Sequence, residues 1–328
     1  MSPFDDALVL TGPTGCGKSA WALALAPELN AEIISMDSMT LYRGMDIGTA
    51  KPTREERQQV PHHLIDILDP WESANVAWWL DHAKAACEAI RSRGKRPLFV
   101  GGTPFYLMAL RYGLFDAPPA DESIRKKIEE QIQSEGAEAV HTRLRAVDPI
   151  AGNRIHAHDT RRLVRALEVF ELTGRPLSSF QQSWDTPGFT TDVNRKATEI
   201  RIVRLEWPRE LLYERIDRRV ETMVEAGWIE ECRILLNRPQ ALSREAAAAI
   251  GYREWFAFLN GTTETQEQTI ARIQQKTRQF AKRQMTWFRR MKDCPVLLGD
   301  ATDVGNQILQ HGLLPKSLFS RVEFQPGP

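Results

Sequence analysis

Ala7-Leu8-Val9-Leu10-Thr11-Gly12-Pro13-Thr14-Gly15-Cys16-Gly17-Lys18-Ser19 is an apolar run entering a G-x-x-x-x-G-K-[ST] loop. The stretch from Ala20 to Leu29 that follows reads as a helix, so the loop has the strand before and helix after that a phosphate cradle needs. Gly12, Gly15 and Gly17 let the backbone wrap an anion with its N–H groups inward, and Pro13, Thr14 and Cys16 complete the turn. The helix adds the positive end of its dipole. Lys18 reaches the terminal phosphates, and Ser19 offers a hydroxyl to Mg²⁺. A glycine-rich turn with a chance lysine is the alternative, and the strand–helix context argues against it. The loop predicts a bound di- or triphosphate without saying what carries it.

Working outward, Glu32 to Ser35 reads as a second strand ending at Asp37-Ser38. A helix from Ala74 to Arg93 follows, stopped by Gly94. Pro97 to Val100 is a third strand, ending in Gly101-Gly102-Thr103. This alternation predicts an α/β fold, a parallel sheet flanked by helices with ligands at the strands' carboxyl ends. Asp37 and Thr103 then share a rim with the phosphate loop. The pattern changes at Asp116-Ala117-Pro118-Pro119-Ala120. From Asp121 to about Phe180 the sequence reads as helices only, with Asp121 capping Ser123 to Ser134. After a loop around Thr186-Pro187-Gly188, Glu199 to Leu205 alternates as a strand, and Arg209 to Lys292 reads as helical. The expected division is a core of residues 1–116 and 199–328 with a helical insertion at 117–198. The last 28 residues, rich in turn formers, are expected to fray.

The 328 residues suffice for one large or two modest domains. No apolar stretch approaches the roughly 20 residues that span a bilayer. The start lacks a basic region before an apolar one, so no signal peptide and a cytoplasmic location are expected. The four cysteines, Cys16, Cys87, Cys232 and Cys294, form no CxxC pair, which argues against a disulfide framework or zinc site. Formal net charge is zero, yet the distribution is uneven. Ile270 to Lys292 holds no acid and the cations Arg272, Lys276, Arg278, Lys282, Arg283, Arg289, Arg290 and Lys292. A second cluster comprises Arg154, His156, His158, Arg161, Arg162 and Arg165. Such runs are often solvated helix faces, but two of them in a neutral chain point to a polyanionic partner.

Phosphate-loop NTPases usually hold Mg²⁺ with a second carboxylate at a neighbouring strand end. Here that strand ends in Gly-Gly-Thr. The carboxylate in this half is Asp37, which could assist a metal, take a proton from a nucleophile, or cap a local turn.

The segment Asp37-Ser38-Met39-Thr40-Leu41-Tyr42-Arg43-Gly44-Met45-Asp46-Ile47-Gly48-Thr49-Ala50-Lys51-Pro52 resembles the signature of tRNA dimethylallyltransferases, also called tRNA isopentenyltransferases. So do Pro61 to Asp66, Gly101 to Thr103, Arg161 to Glu168, Ile250 to Arg253 and Lys282 to Trp287, in the family's order across residues 7–292. The resemblance implies a phosphate-loop NTPase-like fold with an inserted all-helical tRNA-binding domain. It implies transfer of a dimethylallyl group from dimethylallyl diphosphate, with Mg²⁺, to N6 of the adenosine 3′-adjacent to the anticodon of a tRNA. Asp37 becomes the general base and Thr103 orients the reacting groups. The diphosphate falls to Gly12 through Ser19 with Arg219, and the metal to Ser19, with Asp37 as a second candidate. Contacts to the tRNA anticodon stem-loop fall at Asp37, Ser38, Met39, Thr40, Thr103, Arg125, Arg161, Arg162, Leu163, Val164, Arg165, Ala248, Ala249, Ile250, Gly251, Tyr252 and Arg253. The basic helix adds Arg278, Lys282 and Arg283. The target base must leave its stack, and Tyr252 is the candidate to stack on it, with Gly251 allowing close backbone approach.

The chain departs from the pattern at Thr40, where glutamine is usual, at Arg161, at Ala248, and at Pro104-Phe105. A zinc-finger extension is absent, which suits a bacterial-type enzyme. No obligate protein partner is evident, and a monomer is expected. His62 and His63 read as structural. Three rivals remain: a small-molecule kinase, an enzyme that prenylates free adenine nucleotides, and an RNA-binding module with a vestigial loop.

Overall fold

A computed structural model describes residues 3–5, 7–114, 117–181, 200–261, 264–291 and 294–299. The expectations at residue 116, Thr186 to Gly188, residue 198, Glu199, Lys292 and the last 28 residues lie outside these. The first half runs β1 (Leu8–Thr11), α1 (Lys18–Glu28), β2 (Ala31–Ser35), α2 (Arg54–Gln59), β3 (His62–His63), α3 (Val76–Ser92), β4 (Arg96–Gly101) and α4 (Pro104–Tyr112). Five helices follow: α5 (Glu122–Glu135), α6 (Ala137–Val147), α7 (Pro149–Arg154), α8 (Thr160–Thr173) and α9 (Leu177–Phe180). The chain then continues through β5 (Arg201–Glu206), α10 (Arg209–Glu225), α11 (Trp228–Leu236), α12 (Arg244–Ala247), α13 (Tyr252–Leu259), α14 (Gln266–Phe288) and β6 (Val296–Leu298).

The six strands form one parallel sheet in the order β3-β2-β4-β1-β5-β6. Period-two alternation splits its side chains between two cores. Val9, Ile34, Phe99 and Ile202 face α3, α11 and α13, packing on Trp79, Ile90, Trp228 and Trp255. Leu8, Leu10, Ile33, Leu98, Val100 and Val203 face the other way, with Ala22 and Leu25 of α1 and Leu212 and Ile216 of α10. Fully burying Ile34 or Phe99 is worth roughly 1.5–3 kcal/mol each. A one-residue slip would exchange the two faces, so this burial fixes the register. It also brings the ends of β1, β2 and β4 level, and the phosphate loop, Asp37 and Thr103 follow those ends.

The chain divides into two compact units, one of Met1–Arg111 with Thr198–Pro328, the other Tyr112–Ala197. The second unit has its own core of Ile128, Val140, Leu144, Leu163, Leu167 and Val169. Its first helix starts where Asp121 Oδ1 accepts from the Ser123 and Ile124 amides at 2.9 and 3.1 Å, a side-chain cap that satisfies orphan amides. Among the described residues no helix is long and apolar enough to cross a membrane.

His62 and His63 serve the sheet edge. His62 Nδ1 lies 2.7 Å from the Val60 carbonyl, and His63 Nε2 lies 2.7 Å from Glu32 Oε2. Glu32 is held at a pKa of about 2, chiefly by its bond to Arg93, with burial opposing and His63 and Lys95 assisting.

Candidate active site

The phosphate loop is shaped by glycine and stapled from outside. Gly15 and Gly17 take φ of +82° and +84°, the left-handed region that other residues rarely enter. The Gly15 carbonyl accepts from Arg215 Nε at 3.1 Å and the Cys16 carbonyl from Trp207 Nε1 at 3.0 Å. Arg215 in turn stacks on the Trp207 ring, 4.4 Å from its centroid. With those carbonyls turned outward, the amides at the start of α1, which have no intrahelical acceptor, are left for an anion. Lys18 Nζ lies at the loop, 3.4 Å from the Pro13 carbonyl. Ser19 is exposed on the same first turn.

Asp37 stands one residue beyond the buried Met36 that follows β2. Its Oδ1 accepts from the Met39 amide at 2.8 Å, and Oδ2 has no hydrogen bond among the described residues. The local turn is therefore capped and a carboxylate oxygen is still available. The Thr103 amide donates to the Met36 carbonyl at 3.4 Å. A Cβ at Gly101 would sit 2.1 Å from that same oxygen, so the ends of β2 and β4 meet backbone to backbone. Arg219, on α10, keeps some solvent contact, while its guanidinium pKa is pushed down by desolvation, opposed by Asp37 and then Cys16. It makes no hydrogen bond or ion pair among the described residues. A partly desolvated cation beside a phosphate loop favours an anion there.

Tyr106 was not singled out from the sequence. Its ring stacks on Trp79 with centroids 4.4 Å apart, and burial, then Asp37, pushes its phenol up. The i+3 spacing from Thr103 is the signal that could have found it, since helical neighbours three apart share a face.

The site can thus hold a diphosphate beside a carboxylate and a hydroxyl. An IPP transferase family model matches residues 40–291, and an isopentenyl transferase model matches residues 6–66. The chain belongs to the IPP transferase family. A tRNA dimethylallyltransferase of Geobacter metallireducens is 48% identical over 286 residues, 86% of this chain and 89% of that protein. The Geobacillus kaustophilus protein of that name is 43% identical over 90% of this chain and 91% of its own. The solved full-length tRNA isopentenylpyrophosphate transferase of Bacillus halodurans superposes with a TM-score of 0.66 at 38% identity, covering 94% of this chain and 95% of that one. A eukaryotic dimethylallyltransferase acting on tRNA gives 0.75 at 27% identity, over 99% of this chain and 82% of that one.

Within this IPP transferase several residues expected to touch RNA are engaged internally. Thr40 is buried, its Oγ1 paired with Ser35 Oγ at 2.7 Å, so its hydroxyl does not face a base. Tyr252 is 0% exposed and donates to Glu231 Oε1 at 2.5 Å. It cannot stack on a nucleotide. Gly251 makes room for the Trp228 ring, which would lie 2.0 Å from an added Cβ, and not for RNA backbone. Ala249, Leu163 and Val164 are core residues. Arg125 and Arg165 clamp Glu168, itself 0% exposed: Arg125 Nε at 2.9 Å and Arg165 Nη1 at 2.6 Å. They neutralise a buried carboxylate that would otherwise cost several kcal/mol. Arg278 pairs with Asp217 across α10 and α14, so it belongs to that helix packing. Ser38, Met39 and Ile250 are half-buried, whereas Arg161, Arg162, Ala248, Arg253, Lys282 and Arg283 are exposed.

Much of the family signature is architecture. Glu231 of α11 accepts from the amides of Asp46 and Ile47 at 2.8 Å each and of Gly48 at 3.3 Å. Lys51 is buried, its Nζ 2.6 Å from the Tyr42 carbonyl and 2.5 and 2.6 Å from Asp46 and Asp66. The segment after Asp37 is therefore tied to α11 through Glu231, which Tyr252 of α13 also bonds.

Proposed function

We propose that this chain transfers a dimethylallyl group from dimethylallyl diphosphate to N6 of the adenosine 3′-adjacent to a tRNA anticodon, nucleotide 37, releasing pyrophosphate. The observation that carries the reading is the convergence of a stapled phosphate loop, a half-free Asp37 carboxylate and Thr103 on one sheet rim. The family relatives, named for this activity, support it. The strand beside the loop ends in Gly-Gly-Thr, which lacks the carboxylate a phosphoryl-transfer site normally adds.

The N6 lone pair forms a bond to C1 of the dimethylallyl group as the C1–oxygen bond breaks and its electrons leave on pyrophosphate. Adenine N6 is a weak nucleophile because its lone pair is delocalised into the ring. Asp37 Oδ2 accepts the N6 proton as the new bond forms. Loop amides, Lys18 and Arg219 stabilise the charge growing on the leaving diphosphate. The free Thr103 hydroxyl orients the acceptor against the donor. Mg²⁺ fits this donor set: the exposed Ser19 hydroxyl has no hydrogen-bond partner among the described residues, and no group of three or more metal-binding side chains competes there. Ser19 would hold the ion with diphosphate oxygens and water, an arrangement that suits a reluctantly dehydrated cation, and the ion would neutralise the leaving group.

Incubation with unmodified tRNA, AMP, ATP and dimethylallyl diphosphate, followed by nucleoside mass spectrometry, tests the reading. Prenylated adenosine is expected in tRNA alone, with no ATP turnover. Steady ATP hydrolysis, or prenylation of free nucleotides only, rejects it.

The helical unit and α14 are proposed to hold the tRNA through phosphates. Replacing Lys282 and Arg283 with alanine should flatten the salt dependence of tRNA binding by roughly 0.7–0.9 log units per lost phosphate contact. Arg278→Ala should leave that slope unchanged, because its partner is Asp217. The reverse pattern would mean that the exposed cations are merely solvated.

A further inference from the structure

Gln284 lies in the Lys282 to Trp287 motif, yet the chemistry above leaves it without a task. Its side chain is buried, an expensive place for a primary amide unless both ends are bonded. Both are. Oε1 accepts from the Thr14 amide at 2.9 Å, and Nε2 donates to the Gly102 carbonyl at 2.7 Å. The two partners fix the amide's orientation, because a flip would set oxygen against oxygen and N–H against N–H. A Cβ added at Gly102 would fall 2.7 Å from Gln284 Nε2, 2.8 Å from the Gly12 carbonyl and 3.5 Å from Lys18 Nζ. The phosphate loop, the segment leading to Thr103 and the α14 side chain therefore meet within the volume of one carbon atom.

We propose that Gln284 is a positioning residue: one amide from α14 spans the phosphate loop and the Gly102-Thr103 segment and sets the separation between donor diphosphate and acceptor rim. The proposal rests on the transferase reading of this site. Both of its bonds go to the protein halves of the site, so the clamp acts on their alignment. Losing it should lower turnover more than donor binding, since a misplacement of about 1 Å can cost roughly 10²-fold. The flanking Lys282 and Arg283 are exposed on the same turn of α14, which places this alignment next to a basic face.

Two variants separate alignment from packing. Gln284→Leu keeps bulk and removes both bonds. Its turnover on tRNA should fall by roughly 10–100-fold, with the dissociation constant for dimethylallyl diphosphate within a few-fold of wild type. Gln284→Glu is isosteric. As a carboxylate it accepts from Thr14 but meets the Gly102 carbonyl as a second acceptor; once protonated it makes both bonds. Burial and the facing Gly102 carbonyl raise the pKa of the introduced carboxyl, against the pull of the Lys18 ammonium beside Gly102. The ratio of variant to wild-type turnover should therefore rise as pH falls from about 8.5 to about 6. A flat ratio, or Gln284→Leu within a few-fold of wild type, overturns the proposal, and the pH ratio decides if Gln284→Leu fails to fold. Hydrogen exchange supplies a readout free of activity. Amide protection of residues 11–19 should drop in Gln284→Leu, and unchanged protection overturns the clamp. A wild-type protein that transfers no prenyl group would refute the transferase reading, with the exchange result still judging the clamp.

Discussion

Asp37→Asn is expected to lower turnover by roughly 10²–10⁴-fold, the range for loss of a general base, while dimethylallyl diphosphate binds as before. The substitution isolates chemistry because of how Asp37 is built into its turn. Oδ1 is committed to the Met39 amide, and an asparagine carbonyl can accept that bond in its place. The turn therefore survives, and the change falls on the unbonded atom, which becomes a donor with no basicity. In the proposed site the donor diphosphate would rest on the loop amides, Lys18 and Arg219, none of which the substitution removes. Single-turnover transfer with saturating tRNA would read the chemical step, and titration with donor would read the loop. Turnover within a few-fold of wild type would show that the proton leaves by another route and that Asp37 only caps its turn.

The parts of the site legible in the sequence are those built from neighbours along the chain. The loop from Gly12 to Ser19 carries its own turn glycines, strand and helix, and the Asp121 cap lies within its own first turn. Asp37 and Thr103 could be placed on one rim because parallel α/β topology puts strand ends together. Clamps across long separations were not legible. Gln284 reaches Thr14 across 270 positions and Glu231 reaches Asp46 across 185, and no periodicity marks either. Residue type also misled where burial decides the role. Tyr252 and Gly251 look like a stacking platform until Trp228 is seen to fill the space. Arg165, expected among the RNA contacts, is instead claimed by the buried Glu168 three residues on. β3 and β6, with two and three residues, are too short to show alternation.

The packing of Trp228 yields the largest expected effect on stability. Its ring packs on two glycines: an added Cβ at Gly48 would fall 2.1 Å from Trp228 Nε1, and one at Gly251 would fall 2.0 Å from Trp228 Cη2. Gly251 also holds φ 87° and ψ −47° as it opens α13. Gly251→Ala therefore combines overpacking, about 1–3 kcal/mol, with backbone strain, about 1–3 kcal/mol. Gly48, which also packs on the Trp228 ring, is held by Glu231 and limits how far the ring can shift. At roughly 2–4 °C per kcal/mol for a domain of this size, the melting temperature should fall on the order of 10 °C. Arg253→Lys is the control, since that side chain is exposed and a lysine keeps a cation beside the buried Glu254; it should barely move the melting temperature. Thermal unfolding and tRNA binding measured on both variants separate the two meanings of the glycine. If Gly251→Ala melts like wild type but binds tRNA weakly, the glycine serves the RNA backbone and the packing account fails.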